Sequence, residues 1–399
     1  MRIGEIRQLI KVKPAERDAT LRRLARCHDI DDLRSAARRL IPRPVFDYVD
    51  GGADEELAMA ANRAAFQRRR FIPRALADVS QVDTRATVLG RTQPLPLVLG
   101  PTGYSRMMHP AGEIAVARSA RRHRLAYTLS TMATTTIEDV ARSASGADLW
   151  FQLYIQRDDG LTKELTARAQ AAGYRTLMVT VDTVVPGRRI RDERNGLIIP
   201  PALTAGTLAG IAIRPGYWIR MLRNPAIGFA NFPGLGAKTI ASSGSMFDPS
   251  ITWDNITELR ARWPGTLILK GPLGAEDASR AVSSGVDGIV LSNHGGRQFD
   301  RAVVPLDLLP RVRAAVGPDF AVLVDSGIRH GSDIAVALAM GADATLIGRA
   351  YLYGLMAGGE AGVDTAIDLL SAQFTRTLQL LGVHSAAELR TIGTELLTS

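Results

Sequence analysis

The sequence predicts an α/β chain of the (β/α)8 class, the TIM-barrel architecture, with an N-terminal helical extension and a long loop between strands four and five. Three observations carry that reading. Short apolar runs recur at 95–100, 126–130, 149–154, 176–182, 266–271, 288–292, 321–327 and 344–348, eight in all. Helical stretches at 113–124, 161–172, 276–284 and 333–340 separate most of them, the spacing of parallel strands joined by crossovers. A polar side chain closes or follows each run, where a barrel of parallel strands builds its site. Residues 1–94 are then a helical extension that contributes to the site, and 95–399 the barrel with its C-terminal helices, in one structural domain.

In chain order, 30–40 begins with Asp31 and Asp32 and carries Leu33, Ala36, Ala37 and Leu40 at helical spacing. Acids at the positive end and one apolar face make a short amphipathic helix, closed by Pro42 and Pro44. Val45 to Ala53, which contains Tyr48, leads to a second helix at 55–67. An open doubly wound sheet competes with the barrel, but it needs a nucleotide fingerprint after its first strand. Leu97-Val-Leu-Gly-Pro-Thr-Gly103 is not one, and Gly234-Leu-Gly236 follows no strand.

The polar residues at the strand ends are Thr102, Ser130, Gln152 with Tyr154, Thr180 with Asp182, Lys270, His294 with Arg297, Asp325 with Arg329, and Arg349. Buried polar groups cost free energy unless paired, so a set this large calls for a large polar ligand. The last two ends, Asp325-Ser-Gly-Ile-Arg-His-Gly331 and Gly348-Arg349, combine glycines with guanidinium groups, the chemistry of a phosphate site. In Leu291-Ser-Asn-His-Gly-Gly-Arg-Gln-Phe-Asp300, His294 can take a proton near neutral pH and Arg297 can grip a carboxylate. The plainer alternative is a turn in which both bond loop carbonyls. Asp182 is either the carboxylate that orients His294 or a helix cap after strand four.

Ser292-Asn-His-Gly-Gly-Arg-Gln298 resembles the active-site signature of the FMN-dependent α-hydroxy-acid dehydrogenases and oxidases, and the likeness runs from about residue 30 to about residue 390. The resemblance implies FMN as cofactor, with contacts from Pro101, Thr102, Gly103, Ser130, Gln152, Thr180, Lys270 and Ser292. It implies a phosphate on Asp325, Ser326, Gly327, Arg329, Gly348 and Arg349. Tyr48, Arg297 and Arg189 would hold the substrate carboxylate, with Arg188 as the alternative to Arg189. Tyr154 would approach the substrate oxygen, and His294, oriented by Asp182, would take a proton.

Met132 departs from the tryptophan that glycolate oxidase carries beside its substrate, which leaves substrate size open. Phe299 stands for a common leucine, a conservative packing change, and Phe151 is expected in the core. Gly103 resembles the quinone-linked members, where oxidases more often have alanine. Stretches at 195–204, 247–253 and 348–354 look most like the bacterial L-lactate dehydrogenase branch, with mandelate dehydrogenase next. The implied reaction oxidises a small 2-hydroxy acid and hands electrons to a quinone, a cytochrome or oxygen. Oxidases, mandelate-type enzymes and a non-redox FMN isomerase are the alternatives, and a homotetramer is implied.

Composition is that of an ordinary globular protein, 46% apolar and 22% charged. Cys27 is the single cysteine, so no metal site of clustered cysteines is expected. The net charge of +9 comes without zinc spacing, a basic helix or an aromatic–basic ladder, which argues against nucleic acid. No secretory pattern or spanning apolar run is read, so the expected location is cytoplasmic, with peripheral attachment to the inner face of the cell membrane as an option. That option rests on 197–247, where Arg214, Arg220, Arg223 and Lys238 alternate with Tyr217, Trp218, Phe229 and Phe232. A lid packed on the barrel is the other reading of this segment.

Overall fold

The computed structural model describes residues 16–196, 214–232 and 248–398. Eight parallel strands close into a barrel: β1 Leu97–Leu99, β2 Ala126–Ser130, β3 Asp148–Leu153, β4 Thr176–Thr180, β5 Thr266–Gly271, β6 Gly288–Leu291, β7 Ala321–Val324 and β8 Ala344–Ile347. They pair in sequence order, and β8 returns to β1 in the register Leu346 to Val98. Each expected run is present. Several strands stop before their polar ends, β4 before Asp182 and β7 before Asp325, because those residues leave the ladder to build the site.

The alternation of a strand places the site. Val98, Ala126, Trp150, Met178, Ile268, Val290, Leu323, Ala344 and Leu346 face inward and form one buried floor with Val88. Burying such a side chain contributes on the order of 2 kcal/mol. Two residues further along the strands stand Gly100, Thr128, Gln152, Thr180, Lys270, Ser292, Asp325 and Gly348. The same period therefore aims this second, mostly polar layer into the mouth. The intervening residues, such as Leu99, Phe151, Val179, Leu269 and Leu291, turn outward into the larger core shared with the helices.

A hairpin of Ala86–Val88 and Arg91–Gln93 closes the bottom and delivers Val88 to the floor. Its turn uses Leu89 and Gly90, both at positive φ (47° and 77°), the twist that two-residue hairpins favour.

The helices Ala19–Leu24, Ile30–Leu40, Arg43–Asp50 and Leu57–Arg68 precede the barrel. Asp29 caps Ile30–Leu40 by accepting from Asp32 N at 2.7 Å, with Asp31 and Asp32 in the first turn and Arg38 and Arg39 in the last. The helix Arg43–Asp50 was not foreseen. Pro44 lies in its first turn, where no N–H is needed, so the proline that ends one helix also starts the next. Leu57–Arg68 has no local side-chain cap; Asp300 from beyond β6 accepts from Glu55 N and Ala58 N, each at 3.0 Å.

The C-terminal helix Arg349–Leu381 breaks at Gly358 and Gly359 and packs against Ile30–Leu40. Thr398 and Leu397 pair with Arg70 and Phe71, joining the end of the chain to its N-terminal extension. No described helix is long and apolar enough to cross a membrane.

Candidate active site

β6 delivers the loop on which the site turns. His294, Gly295 and Gly296 follow one another at φ 58°, 66° and 76°. Glycine adopts this region freely, but His294 carries a Cβ and must be held there. Ser292 Oγ accepts from His294 N at 3.0 Å, and Ser326 Oγ accepts from Gly295 N at 3.0 Å. His294 Nδ1 lies 3.1 Å from Asp182 Oδ1 and 3.3 Å from Oδ2. Burial alone would raise the Asp182 carboxyl; the charge and hydrogen bond of His294, with the charge of Lys270, outweigh it and hold the group below its ordinary range. The carboxylate therefore serves the imidazole and is not a helix cap.

Tyr48, Arg189 and Arg297 meet on one side of the cavity. The Arg189 and Arg297 guanidinium carbons lie 5.6 and 5.0 Å from the centre of the Tyr48 ring. Arg297 Nη1 donates to Tyr48 O at 2.6 Å and Gly51 O at 3.1 Å, which ties the loop after β6 to the N-terminal extension. Burial, then the charge of Arg189, pulls the Arg297 guanidinium below its ordinary value, the signature of a cation short of an anion. The structure separates the two neighbouring arginines: Arg189 lines the cavity and Arg188 does not. A Cβ on Gly187 would come within 2.3 Å of Arg297 O, so this segment packs backbone to backbone on the loop after β6. Arg188 is 66% exposed on Glu193, whereas Arg189 is 20% exposed and donates to Asp192 Oδ2 at 2.7 Å. Tyr154 is buried in the same wall, and burial followed by the Asp182 charge pushes its phenol up.

Deeper in the mouth, Ser130 Oγ donates to Gln152 Oε1 at 3.0 Å. Gln152 Nε2 and Thr180 Oγ1 are buried with no hydrogen-bond partner among the described residues. Neither residue lines the cavity itself, but unmet polar atoms in the layer beneath its mouth fit a polar ring system above them. Lys270 Nζ donates to Ser292 Oγ at 2.7 Å and lies 3.3 Å from Asp325 Oδ2. Pro101, Thr102 and Gly103 line the cavity, although the Thr102 hydroxyl is engaged with Tyr351 Oη at 2.7 Å.

At the β7 and β8 ends, Gly327 (φ 111°) and Gly348 bring backbone to the cavity wall. Arg329 stacks on Tyr353 at 4.9 Å. Arg349 donates to Val49 O, Gly295 O and Gly51 O at 2.9, 2.8 and 2.7 Å. Burial, then the charge of Arg297, brings Arg349 down to about 10. Three half-buried guanidiniums, Arg189, Arg297 and Arg349, thus line one cavity, and among the described residues only Arg189 has a carboxylate partner, Asp192. The Ser326 hydroxyl turns to the catalytic loop, accepting from Asn293 N at 3.3 Å.

A sequence profile described as FMN-dependent dehydrogenase matches residues 37–395. The chain belongs to the FMN-dependent dehydrogenase family. Its cofactor is FMN, and the unmet donors and crowded cations at the mouth are chemically suited to that group. A Mycobacterium tuberculosis protein provisionally named L-lactate dehydrogenase is 46% identical over 391 residues, 97% of this chain and 94% of the relative. An L-lactate oxidase of Nostoc sp. is 40% identical over 358 residues, 89% of this chain and 94% of its own. The crystal structure of a monotopic membrane protein, (S)-mandelate dehydrogenase, superposes with a TM-score of 0.88 at 39% identity, covering 94% of this chain and 99% of that one.

Several residues of this flavoenzyme's site were not foreseen. Asn62 and Arg63 line the cavity from the helix Leu57–Arg68. Arg63 Nη1 donates to Gly327 O and to Asp333 Oδ2, bracing the β7 loop. Their signal was an adjacent polar pair inside the apolar run Ala58-Met-Ala-Ala-Asn-Arg-Ala-Ala-Phe66. Gln298, quoted in the motif without a role, donates from Nε2 to Asp182 O and Val185 O, each at 3.2 Å. One expectation fails: Phe299 is 65% exposed, so it is no packing substitution, because the loop leaves the barrel at that point.

Proposed function

We propose that this flavoenzyme oxidises an L-2-hydroxy acid, with L-lactate to pyruvate as the reaction, and that its electrons pass to a quinone or another carrier. The observation that carries this reading is the His294–Asp182 couple facing the same cavity as Tyr48, Arg189 and Arg297. Arg297, Arg189 and the Tyr48 hydroxyl hold the carboxylate, which orients the carbinol carbon. Tyr154 stands at the substrate oxygen. His294 accepts a proton as the carbinol becomes a ketone, and the Asp182 carboxylate stabilises the resulting imidazolium. FMN, when bound, supplies the two-electron acceptor. Pro101, Thr102, Gly103, Ser130, Gln152, Thr180, Lys270 and Ser292 would hold its ring, and Asp325, Ser326, Gly327, Arg329, Gly348 and Arg349 would hold its phosphate.

Anaerobic mixing of the yellow protein with L-lactate, followed by flavin absorbance, tests this. Bleaching that recovers quickly with a quinone and slowly in air supports it. Fast recovery in air makes the protein an oxidase. A second reading, a larger hydroxy acid of the mandelate type, is favoured by Met132, a flexible side chain on the cavity wall. Bleaching by L-mandelate alone would establish it. No bleaching by any hydroxy acid would leave the isomerase.

We place the protein in the cytoplasm, resting on the inner face of the membrane. The helix Pro215–Leu222 anchors by Tyr217, whose hydroxyl donates to Met107 O at 2.8 Å, while Ile219 and Leu222 are 49% and 83% exposed beside Arg220 and Arg223. That face suits an anionic bilayer. Residues 197–213 and 233–247, including Lys238, lie outside the described residues. Co-sedimentation with phosphatidylglycerol vesicles tests the attachment, and light scattering tests the tetramer.

A further inference from the structure

We infer that Asn62 is a positioning residue for the reaction, acting on His294 through Asn293. Asn62 sits inside the helix Leu57–Arg68 and is 1% exposed; Asn293 precedes His294 and is 2% exposed. Asparagine is a weak helix former, and an amide is costly to bury, so Asn62 requires a compensating interaction. It has a reciprocal one. Asn62 Nδ2 donates to Asn293 Oδ1 and Asn293 Nδ2 donates to Asn62 Oδ1, both at 2.8 Å.

The remaining capacity of Asn293 is spent on its own loop. Its Oδ1 accepts from Gly296 N at 3.1 Å, and its Nδ2 donates to Val303 O at 3.2 Å. The amide thus spans the three left-handed residues from His294 to Gly296 and is itself clamped by a helix 231 positions away in sequence. A non-glycine residue in that region is strained, so the loop relaxes when its clamp is removed. Relaxation moves the imidazole but not the carboxylate clamp. Arg297 keeps its bonds to Tyr48 O and Gly51 O, and Arg189 keeps Asp192, none of which passes through Asn62.

This rests on His294 acting as the base in the proposed reaction, and the test separates the two. The hydroxy acid that bleaches the wild-type flavin is used throughout; if none does, the functional reading fails. With that acid, Asn62→Ala lowers the rate of flavin reduction on the order of 10- to 100-fold while KM stays within about threefold. The deuterium isotope effect with the 2-deuterated acid rises, because a misplaced base makes carbon–hydrogen cleavage slower. Adding Asn62→Ala to Asn293→Ala produces no further loss. An Asn62→Ala protein with a lowered Tm but an unchanged reduction rate and isotope effect overturns the inference, as do additive losses in the double variant. Asn62→Asp, almost the same size, removes the donor half and behaves alike. Failure of both single variants to fold and retain flavin makes Asn62 a stability residue and also overturns it.

Discussion

Single residues at this site are governed by positive charge collected in one cavity. Arg189 and Arg297 flank one tyrosine ring and Arg349 lies close behind, so in the proposed reaction a substrate carboxylate would relieve a repulsion as well as form hydrogen bonds. Arg189→Ala is expected to raise KM for the hydroxy acid about 10- to 100-fold, since a bond to a charged group contributes about 1.5–3 kcal/mol. Arg188→Ala, altering a side chain paired with Glu193 at the surface, should leave steady-state kinetics unchanged. His294→Gln, tested by stopped-flow reduction, should slow the chemistry on the order of 10²- to 10⁴-fold with flavin still bound. Residue identity at these positions was legible in the motif. The inward position of Arg189 was not, because it is a matter of how its segment docks on a loop more than a hundred residues away, where Gly187 N donates to Gln298 Oε1 at 3.3 Å.

Among the elements, the strands were the most legible and the long C-terminal helix the least. Strands buried on both faces stand out as short continuous apolar runs, whereas a helix that folds back keeps the same apolar composition on both arms. The return is made by Gly354 and Gly362. A Cβ on Gly354 would lie 2.2 Å from Gly362 O, and one on Gly362 1.9 Å from Gly354 O. Gly354→Ala is therefore expected to destabilise by on the order of 3 kcal/mol, read as a lower midpoint in urea at unchanged slope. An unchanged midpoint would mean that the two arms can separate without cost. The helix Leu57–Arg68 illustrates the opposite dependence: its start was readable within two residues, but its cap, Asp300, comes from the catalytic loop's far end.

At the scale of the whole molecule, Asp50 joins the N-terminal helices, the segment after β4 and the C-terminal helix. It accepts from Arg34 Nε and Nη2 at 2.6 and 2.8 Å, from Tyr353 Oη at 2.8 Å and from Arg191 Nη1 at 3.2 Å. Burial alone would raise its carboxyl; the Arg34 fork and the Tyr353 hydroxyl outweigh that and bring it from 3.8 to about 2. A depressed folded-state value means stability that is full above the unfolded value and lost as pH falls from about 4 through about 2, on the order of 2 kcal/mol. Asp50→Asn should lower stability at pH 7 and flatten the acid limb of a urea-midpoint titration between pH 5 and about 2. An acid limb as steep as the wild type's would place the acid sensitivity in other carboxylates.

The sequence by itself determined the eight apolar runs and the chemical identity of the groups at their ends, since these follow from local composition and side-chain type. Tertiary structure alone decided which groups meet: His294 with Asp182 across 112 positions, Asn62 with Asn293 across 231, and Arg189 rather than Arg188 in the cavity wall. Periodicity is set by the backbone within a few residues, whereas pairing is set by barrel closure and by how closely two backbones approach. A single sequence carries no measure of either.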